Sequence, residues 1–196
     1  MMKKQFLILI TLLSLFCFGL AFAESLKALP PFTYTGDDPV LAAVCAETVE
    51  NGKTFLLEDN SVTVPCPIVL KTETVDDTHM RVIGAFWVFN YAPRGEDTLE
   101  LISGGERPAI MDLEKKDDAW TVVKVDEADS GDDYIKDIQR FCSGDEDLEK
   151  AFAEASDGSS TRFKEVHLKF LQDYVKTNNL PVKYWKEYGT DPIPLF

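Results

Sequence analysis

Histidine is scarce in this sequence, and the common spaced motifs of hydrolases and nucleotide-binding proteins are absent from it. Only His79 and His167 occur among 196 residues, which is too few for a histidine metal cluster or a proton relay. There is no G-x-S-x-G, no H-E-x-x-H, no G-x-G-x-x-G and no glycine-rich phosphate loop before a helix. The sequence therefore indicates no catalytic residues, no metal site and no cofactor.

Basic side chains are also few. Twenty Lys and Arg stand against 34 Asp and Glu, which gives a formal net charge of −14. A surface this acidic repels phosphate backbones and anionic lipid headgroups, so nucleic-acid partners and electrostatic membrane binding are disfavoured. Since 45% of the residues are hydrophobic, the chain is apolar enough for one globular domain and too apolar for a disordered chain.

The amino end carries one long hydrophobic run. Two lysines precede an apolar stretch from Phe6 to Leu20, and Ala21 and Ala23 are small residues at positions −3 and −1 of a signal peptidase site. We predict a signal peptide over residues 1–23, with export to the periplasm or out of the cell and no membrane attachment after cleavage. A retained anchor and lipidation at Cys17 are the alternatives.

Loss of that leader would leave three cysteines, Cys45, Cys66 and Cys142. An exported chain folds in an oxidising compartment, so we expect one disulfide among the three. The pairing stays open, and one thiol is left over. Because no C-x-x-C spacing occurs, zinc binding and thioredoxin-like redox chemistry are disfavoured.

Hydropathy patterns divide the mature chain into three parts. Residues 24–37 contain two adjacent prolines, and we expect an extended arm there. Residues 38–142 predict an α+β domain, in which a helix capped by Asp38 and stopped by Asn51-Gly52 packs on a curved, largely antiparallel sheet of four to six strands. Residues 143–196 predict a helical C-terminal extension packed on the same domain.

Two strand patterns and the apolar chain end indicate where those segments lie in the fold. Between Val62 and Leu70, Pro65 and Pro67 cannot donate ladder hydrogen bonds, which predicts an edge strand or a bulge. The segment 80–91 is apolar on both faces, which predicts a central strand covered on each side. The apolar, proline-containing end (192–196) is expected to dock on its own domain or in a groove of a partner.

Aromatic side chains give the main indication of a binding site. An antiparallel sheet with a helix across it commonly leaves an aromatic-lined cleft, although such residues also serve as plain core packing. One histidine falls on the apolar face of the last long helix, where we expect it either in the core or at a pocket. The candidate cleft residues are Phe86, Trp87, Phe89, Tyr91, Trp120 and His167.

The densest acidic segment runs from Asp126 to Asp133. Gly131 stands at position 6 of a calcium loop counted from Asp126, but Ala128 at position 3 and the short Asp137 at position 12 break the EF-hand pattern. We interpret these acids as helix-capping and solvated groups.

Part of the sheet region carries a family resemblance. The segment from Ser103 to Lys115, then Trp120-Thr121-Val122, and the segment from Gly131 to Ile138 form strand-turn-strand and helix-entry patterns. Through them, residues 79–142 resemble an extracytoplasmic domain of bacterial secreted proteins, also found at the end of some membrane regulators of the beta-lactam sensor type. The resemblance implies an NTF2-like or cystatin-like α+β architecture and brings no catalytic residues.

These features predict an exported bacterial binding or interaction module. It would hold a small ligand, or a segment of another envelope protein, between its sheet and helices, as a monomer or a homodimer. One alternative is a small hydrolase that uses sheet carboxylates such as Asp112 or Glu114; burial in a cavity with a raised pKa would favour it, and exposure would not. Another is a protein inhibitor acting through the hairpin turn 92–95, where Arg94 is the residue to test.

Overall fold

A computed structural model of the protein describes residues 28–55 and 58–196. The predicted signal peptide (1–23), Cys17 within it and the start of the predicted arm lie outside the described residues. Within those ranges, no helix combines the length and the hydropathy that crossing a membrane requires.

The described residues form four α-helices and an open, seven-stranded, mostly antiparallel sheet. The predicted α+β class, with one helix before the sheet and further helices after it, is confirmed. In chain order the elements are α1 (Pro39–Gly52), a short 3-10 helix (Lys53–Phe55), β1 (Val62–Thr74), β2 (His79–Arg94), β3 (Thr98–Gly105), β4 (Pro108–Lys116), β5 (Ala119–Glu127), α2 (Tyr134–Cys142), α3 (Glu146–Ala155), α4 (Thr161–Thr177), β6 (Tyr184–Glu187) and β7 (Ile193–Pro194).

The centre of the sheet is β2. It pairs with β1 along one edge, and along its other edge with β4 through residues 79–85 and with β3 through residues 88–94. Strands β3 and β4 therefore lie end to end beside β2, with β5 outside β4 and the β6-β7 pair outside β3. A strand covered on both edges and both faces is what its continuous apolar sequence predicts.

Strand β1 lies at an edge, in agreement with its prolines. Among the described strands it pairs with β2 alone, and its register shifts between Val69 and Lys71. Pro65 and Pro67 have no N–H to offer to a further strand, so this edge resists the addition of a foreign chain.

Each face of the sheet buries its own core, because side chains alternate along a strand. Helix α1 covers one face, and α4 with the α2-α3 pair covers the other. The α1 face includes Val44, Val82, Phe86, Met111 and Leu113. The opposite face includes Ala85, Phe89, Tyr91, Leu171 and Tyr174 under α4, and Ile83, Phe141 and Phe152 under α2 and α3.

Helix α1 begins as predicted and ends differently. The carboxylate of Asp38 accepts a hydrogen bond from the backbone N–H of Val40 at 2.9 Å. The predicted stop at Asn51-Gly52 is wrong, because the helix includes Gly52 and the following residue stays right-handed. Gly52 has a packing role instead: a Cβ at this position would collide with the side chain of Val88, so helix and sheet approach closely here.

The cysteines correct another prediction. Cys45, Cys66 and Cys142 are all buried free thiols, so the expected disulfide is wrong. Cys142 lies in a different core cluster from the other two. Sharing a cluster does not pair Cys45 with Cys66, because a disulfide needs Cβ atoms about 3.5–4.5 Å apart. Burial raises the pKa of the Cys45 thiol to about 12 and also raises that of Cys66, as for inert core thiols.

Both ends of the described chain pack near α4. In the arm, the ring of Phe32 lies 6.2 Å from that of Phe170 and the ring of Tyr34 lies 6.4 Å from it. At the carboxyl end, Leu195 is buried and its carbonyl accepts a hydrogen bond from Gln172. Of the two outcomes predicted for the apolar chain end, the structure shows docking on its own domain.

Candidate functional site

The structure divides the six candidate cleft residues between the two faces of the sheet. Neighbouring residues of a strand point in opposite directions, so Phe86 and Trp87 cannot line one cleft. Phe86 and Trp120 pack on the α1 face, whereas Trp87, Phe89, Tyr91 and His167 meet on the α4 face.

A cleft of about 330 Å³ opens on the α4 face, between α4 and the side of the sheet formed by β3 and β6. We call it the aromatic cleft. Of the predicted residues, Phe89 and His167 line it. Sequence reasoning missed the part contributed by β6 and β7. The apolar lining consists of Phe89, Leu101, Phe163, Leu168, Trp185 and Ile193.

Four aromatic rings surround the imidazole of His167. Their centroids lie at 4.5 Å for Phe89, 5.1 Å for Trp185, 5.5 Å for Phe163 and 6.2 Å for Tyr91. Helix α4 places Phe163 and His167 one turn apart on the same face, and β2 supplies two of the other rings. An apolar shell of this kind disfavours a positive charge on the imidazole.

The buried histidine is neutral, and its tautomer follows from its partner. His167 is 5% exposed, and its Nε2 is hydrogen-bonded to the hydroxyl of the fully buried Tyr91. Burial lowers the pKa of His167 to about 4 and raises the pKa of Tyr91 well above its usual value. Within the described chain the tyrosine hydroxyl has no other side-chain or backbone acceptor, so it donates to Nε2, and the imidazole proton lies on Nδ1.

Two ring N–H groups beside the aromatic cleft lack partners within residues 28–55 and 58–196. One is Nδ1–H of His167, and the other is Nε1–H of Trp185, which is also shut off from solvent. Of the two, the indole N–H is a fully buried unpaired donor, which is rare in native cores and costs about 1–3 kcal/mol, whereas Nδ1 of His167 lacks a protein partner but is not shut off from solvent. These two donors distinguish the cleft from ordinary core packing.

Trp87 supports the cleft without lining it. Its ring packs against Phe163 at 4.8 Å and against Phe89 at 5.9 Å. Its indole N–H donates to the carbonyl of Ala155 at 2.9 Å, which ties β2 to the end of α3. Trp87 is therefore a positioning residue for two of the rings around His167.

The sheet carboxylates do not form a catalytic pair. Asp112 accepts a hydrogen bond from Arg81 at 2.9 Å and Glu114 is exposed. Neither lines the aromatic cleft. Because neither carboxylate is buried in a cavity, these two residues give the hydrolase alternative no support.

One carboxyl group elsewhere is partly buried and has a raised pKa. Glu106, between β3 and β4, has its pKa raised by burial. It accepts a hydrogen bond from the hydroxyl of Ser156, and the hydroxyl of Tyr134 interacts with both residues, at 3.3 Å from Ser156 Oγ. We call these three residues the Glu106 cluster. They come from distant parts of the chain, so no short-range sequence pattern brings them together.

Arg94, in the hairpin turn predicted for an inhibitor, forms ion pairs within the protein. The guanidinium of Arg94 donates to Glu58 at 2.7 Å and to Glu100 at 2.6 Å. Both carboxylates raise the pKa of Arg94. A side chain held in this way is not displayed for a target enzyme.

The remaining polar candidates are paired locally. His79 is the first residue of β2, directly after the turn, and contacts the carboxylate of Asp76 at 2.9 Å. In the acidic segment, Asp126 and Asp137 both pair with Arg140. The described residues contain no group of three His, Cys, Asp or Glu side chains placed to hold a metal ion.

Comparison of the chain with protein-family models, with curated proteins and with solved structures finds no match. The resemblance of residues 79–142 to a bacterial extracytoplasmic domain therefore stays a prediction.

Proposed function

We propose that the protein is a non-catalytic binding protein whose aromatic cleft holds a small apolar molecule that carries a hydrogen-bond acceptor oxygen. The observation that carries this proposal is the neutral His167, whose Nδ1–H has no protein partner at a cleft with a mainly apolar lining, to which Lys164 and Glu187 add the charged side chains. The apolar lining supplies affinity by burial, and the imidazole N–H orients the acceptor.

The size of the cleft limits the ligand. Ligand pockets in proteins span roughly 300–1,000 Å³, and this one, at about 330 Å³, lies at the small end. A single substituted ring or a short branched chain fits, and a dinucleotide or another large cofactor does not.

The chemistry of the cleft favours binding over catalysis. A general base needs a pKa near the working pH and a free nitrogen. The pKa of His167 is lowered to about 4, and its Nε2 is engaged by Tyr91. The imidazole is therefore a fixed hydrogen-bond donor above pH 5 and a poor proton acceptor.

The first experiment compares two ligands of similar shape by isothermal titration calorimetry. Acetophenone carries a carbonyl oxygen and ethylbenzene does not. We expect acetophenone to bind about twofold to tenfold more tightly, because a net hydrogen bond contributes about 0.5–1.5 kcal/mol. Equal affinities for the two ligands would contradict the role of His167 as the donor.

A pair of glycine variants locates the binding. Gly158 lines the aromatic cleft, and a Cβ there would meet Trp87 at an ordinary 3.9 Å. Gly158→Leu is expected to fill the cleft and abolish binding of both ligands. The matched control is Gly131→Leu, in an exposed loop where a Cβ meets only Asp129 at 3.8 Å. Unchanged binding in Gly158→Leu would refute the site.

The proposal includes export of the mature chain. The supporting pattern is the charged and apolar leader with Ala21 and Ala23 at its end. Intact mass spectrometry of the exported protein is expected to show Glu24 as the first residue. A mature chain that begins before Glu24 would contradict cleavage after Ala23.

A further inference from the structure

A second cavity, of about 240 Å³, lies between α2 and α3. We call it the helix groove. Its apolar walls are formed by Ile135, Ile138, Phe152 and Ala153. Ile135 is 62% exposed, so part of this apolar surface stays open to solvent.

One end of the helix groove is polar. Tyr134 and Ser156 line the groove and also belong to the Glu106 cluster, which places the carboxyl of Glu106 next to their hydroxyl groups. Each hydroxyl oxygen has lone pairs left to accept a hydrogen bond from a ligand. No Lys or Arg of the described chain forms an ion pair with Glu106, so its negative charge is uncompensated in a partly buried position.

Among the described residues, the one charged side chain that lines the groove has the same sign as Glu106. Glu149 lines it, and no Lys or Arg does. Helix α3 ends beside it at Ala155 with no basic residue in its last turn, so the partial negative charge of that helix end has no counter-charge on its own helix. The amino end of α2 has the opposite polarity, and the acids beside it, Asp133 and Asp137, are paired with Lys136 and Arg140.

We propose that the helix groove is a binding site for a small amphiphilic amine. The apolar body of the amine lies between Ile135 and Phe152, and its ammonium group lies at the hydroxyls of Tyr134 and Ser156, next to Glu106. The ammonium donates to these oxygens and compensates the charges that the protein leaves unpaired. The net charge of −14 adds attraction at longer range.

The test uses 2-phenylethylamine and its uncharged counterpart 2-phenylethanol, titrated into the protein at pH 7 and low ionic strength. We expect the amine to bind at least tenfold more tightly than the alcohol. Glu106→Gln keeps the size of the side chain and an acceptor for Ser156, and it should remove this advantage while leaving the affinity for the alcohol unchanged. The matched control is Glu146→Gln, in the exposed first turn of α3, which should bind both probes as the wild type does.

A second variant tests the apolar part of the site. Ile135→Ser removes an exposed side chain and therefore leaves folding intact. It is expected to weaken binding of both probes about fivefold or more, and Val123→Ser, at another exposed position, should weaken neither. Unchanged binding of both probes in Ile135→Ser would overturn the proposed location.

Proton release gives a readout that a purely structural role of Glu106 would not produce. Binding of an ammonium group favours the ionised carboxyl, so at a pH where Glu106 is partly protonated the amine displaces a proton. The binding heat of the amine should then depend on the ionisation heat of the buffer, and the dependence should disappear in Glu106→Gln. Equal affinities for amine and alcohol would overturn the proposal. So would loss of amine binding in Glu187→Gln but not in Glu106→Gln, since Glu187 lines the aromatic cleft.

Discussion

The hydroxyl of Tyr91 donates a hydrogen bond to Nε2 of His167, although the two residues are 76 positions apart in the chain. This contact links the central strand β2 to helix α4 beneath the aromatic cleft. It satisfies two buried polar atoms at once and holds the imidazole proton on Nδ1, where a ligand can accept it.

We predict that Tyr91→Phe destabilises the protein by about 1–3 kcal/mol, because it leaves Nε2 of His167 buried and unpaired. In the double variant Tyr91→Phe/His167→Phe the loss is expected to be smaller than the sum of the two single losses. Urea unfolding of the four proteins measures this coupling. Tyr188→Phe is the control, since Tyr188 is 85% exposed, and an additive cycle would contradict the pairing.

The neutral histidine predicts a dependence of stability on pH. The pKa of His167 is about 4 in the folded protein and 6.5 in the unfolded chain, so between these values the unfolded state binds the extra proton. The free energy of unfolding therefore falls as the pH is lowered from 6.5 to 4, by about 3 kcal/mol in total for this residue. Carboxylates titrate in the same range, so the contribution of His167 is read as the difference between wild type and the double variant. Parallel pH profiles for the two proteins would refute it.

Glu106 should change the pH dependence of stability in the direction opposite to that of His167. Burial raises the pKa of its carboxyl above 4.5, so the folded state is favoured by protonation and loses this stabilisation as the pH rises through the folded pKa. Glu106→Gln, which resembles the protonated form, is expected to raise the melting temperature at pH 8 and to raise it less at pH 5. Thermal unfolding at both pH values tests this, with Glu146→Gln as the control. A constant difference across pH would contradict a raised pKa.

The buried thiols predict a simple labelling result. Because Cys45, Cys66 and Cys142 are free, alkylation of the unfolded mature chain without a reductant should add three labels, and prior reduction should add no more. In the folded protein, labelling is expected to be slow, since burial raises the pKa of each thiol. A gain of two labels after reduction would show a disulfide.

Much of the fold follows from local sequence signals. The N-cap at Asp38, the two-sided apolar strand β2 and the prolines of β1 each specify an element or its position through short-range chemistry. Strand β6 carries no such signal, because it has four residues and a mixed sequence, and its place is set by parallel pairing with β3. Such non-local pairing depends on the complete fold, and short-range patterns do not encode it.

The candidate site was predictable to a smaller extent. Alternation along a strand already places Phe86 and Trp87 on opposite faces of the sheet, so the sequence itself argues against one cleft lined by both. His167 was recognised by its position on the apolar face of α4. Two parts of the sites arise only through tertiary packing. One is the position of Trp185 in the aromatic cleft, and the other is the Glu106 cluster. The disulfide was inferred from the compartment, and compartment says nothing about the geometry of a given pair.

The pairing of β6 with β3 has a consequence for how a ligand enters. Residues 98–101 pair with residues 184–187. Because these two segments lie far apart in the chain, their pairing closes a long loop and is expected to form late during folding. A strand of only four residues is also expected to detach at a lower free energy than global unfolding requires. Transient release of β6 would then uncover Trp185 and widen the aromatic cleft, since Trp185 lies on β6 and lines the cleft. Backbone amides of β6 should accordingly exchange with deuterium faster than those of β2, and a bound ligand should slow them.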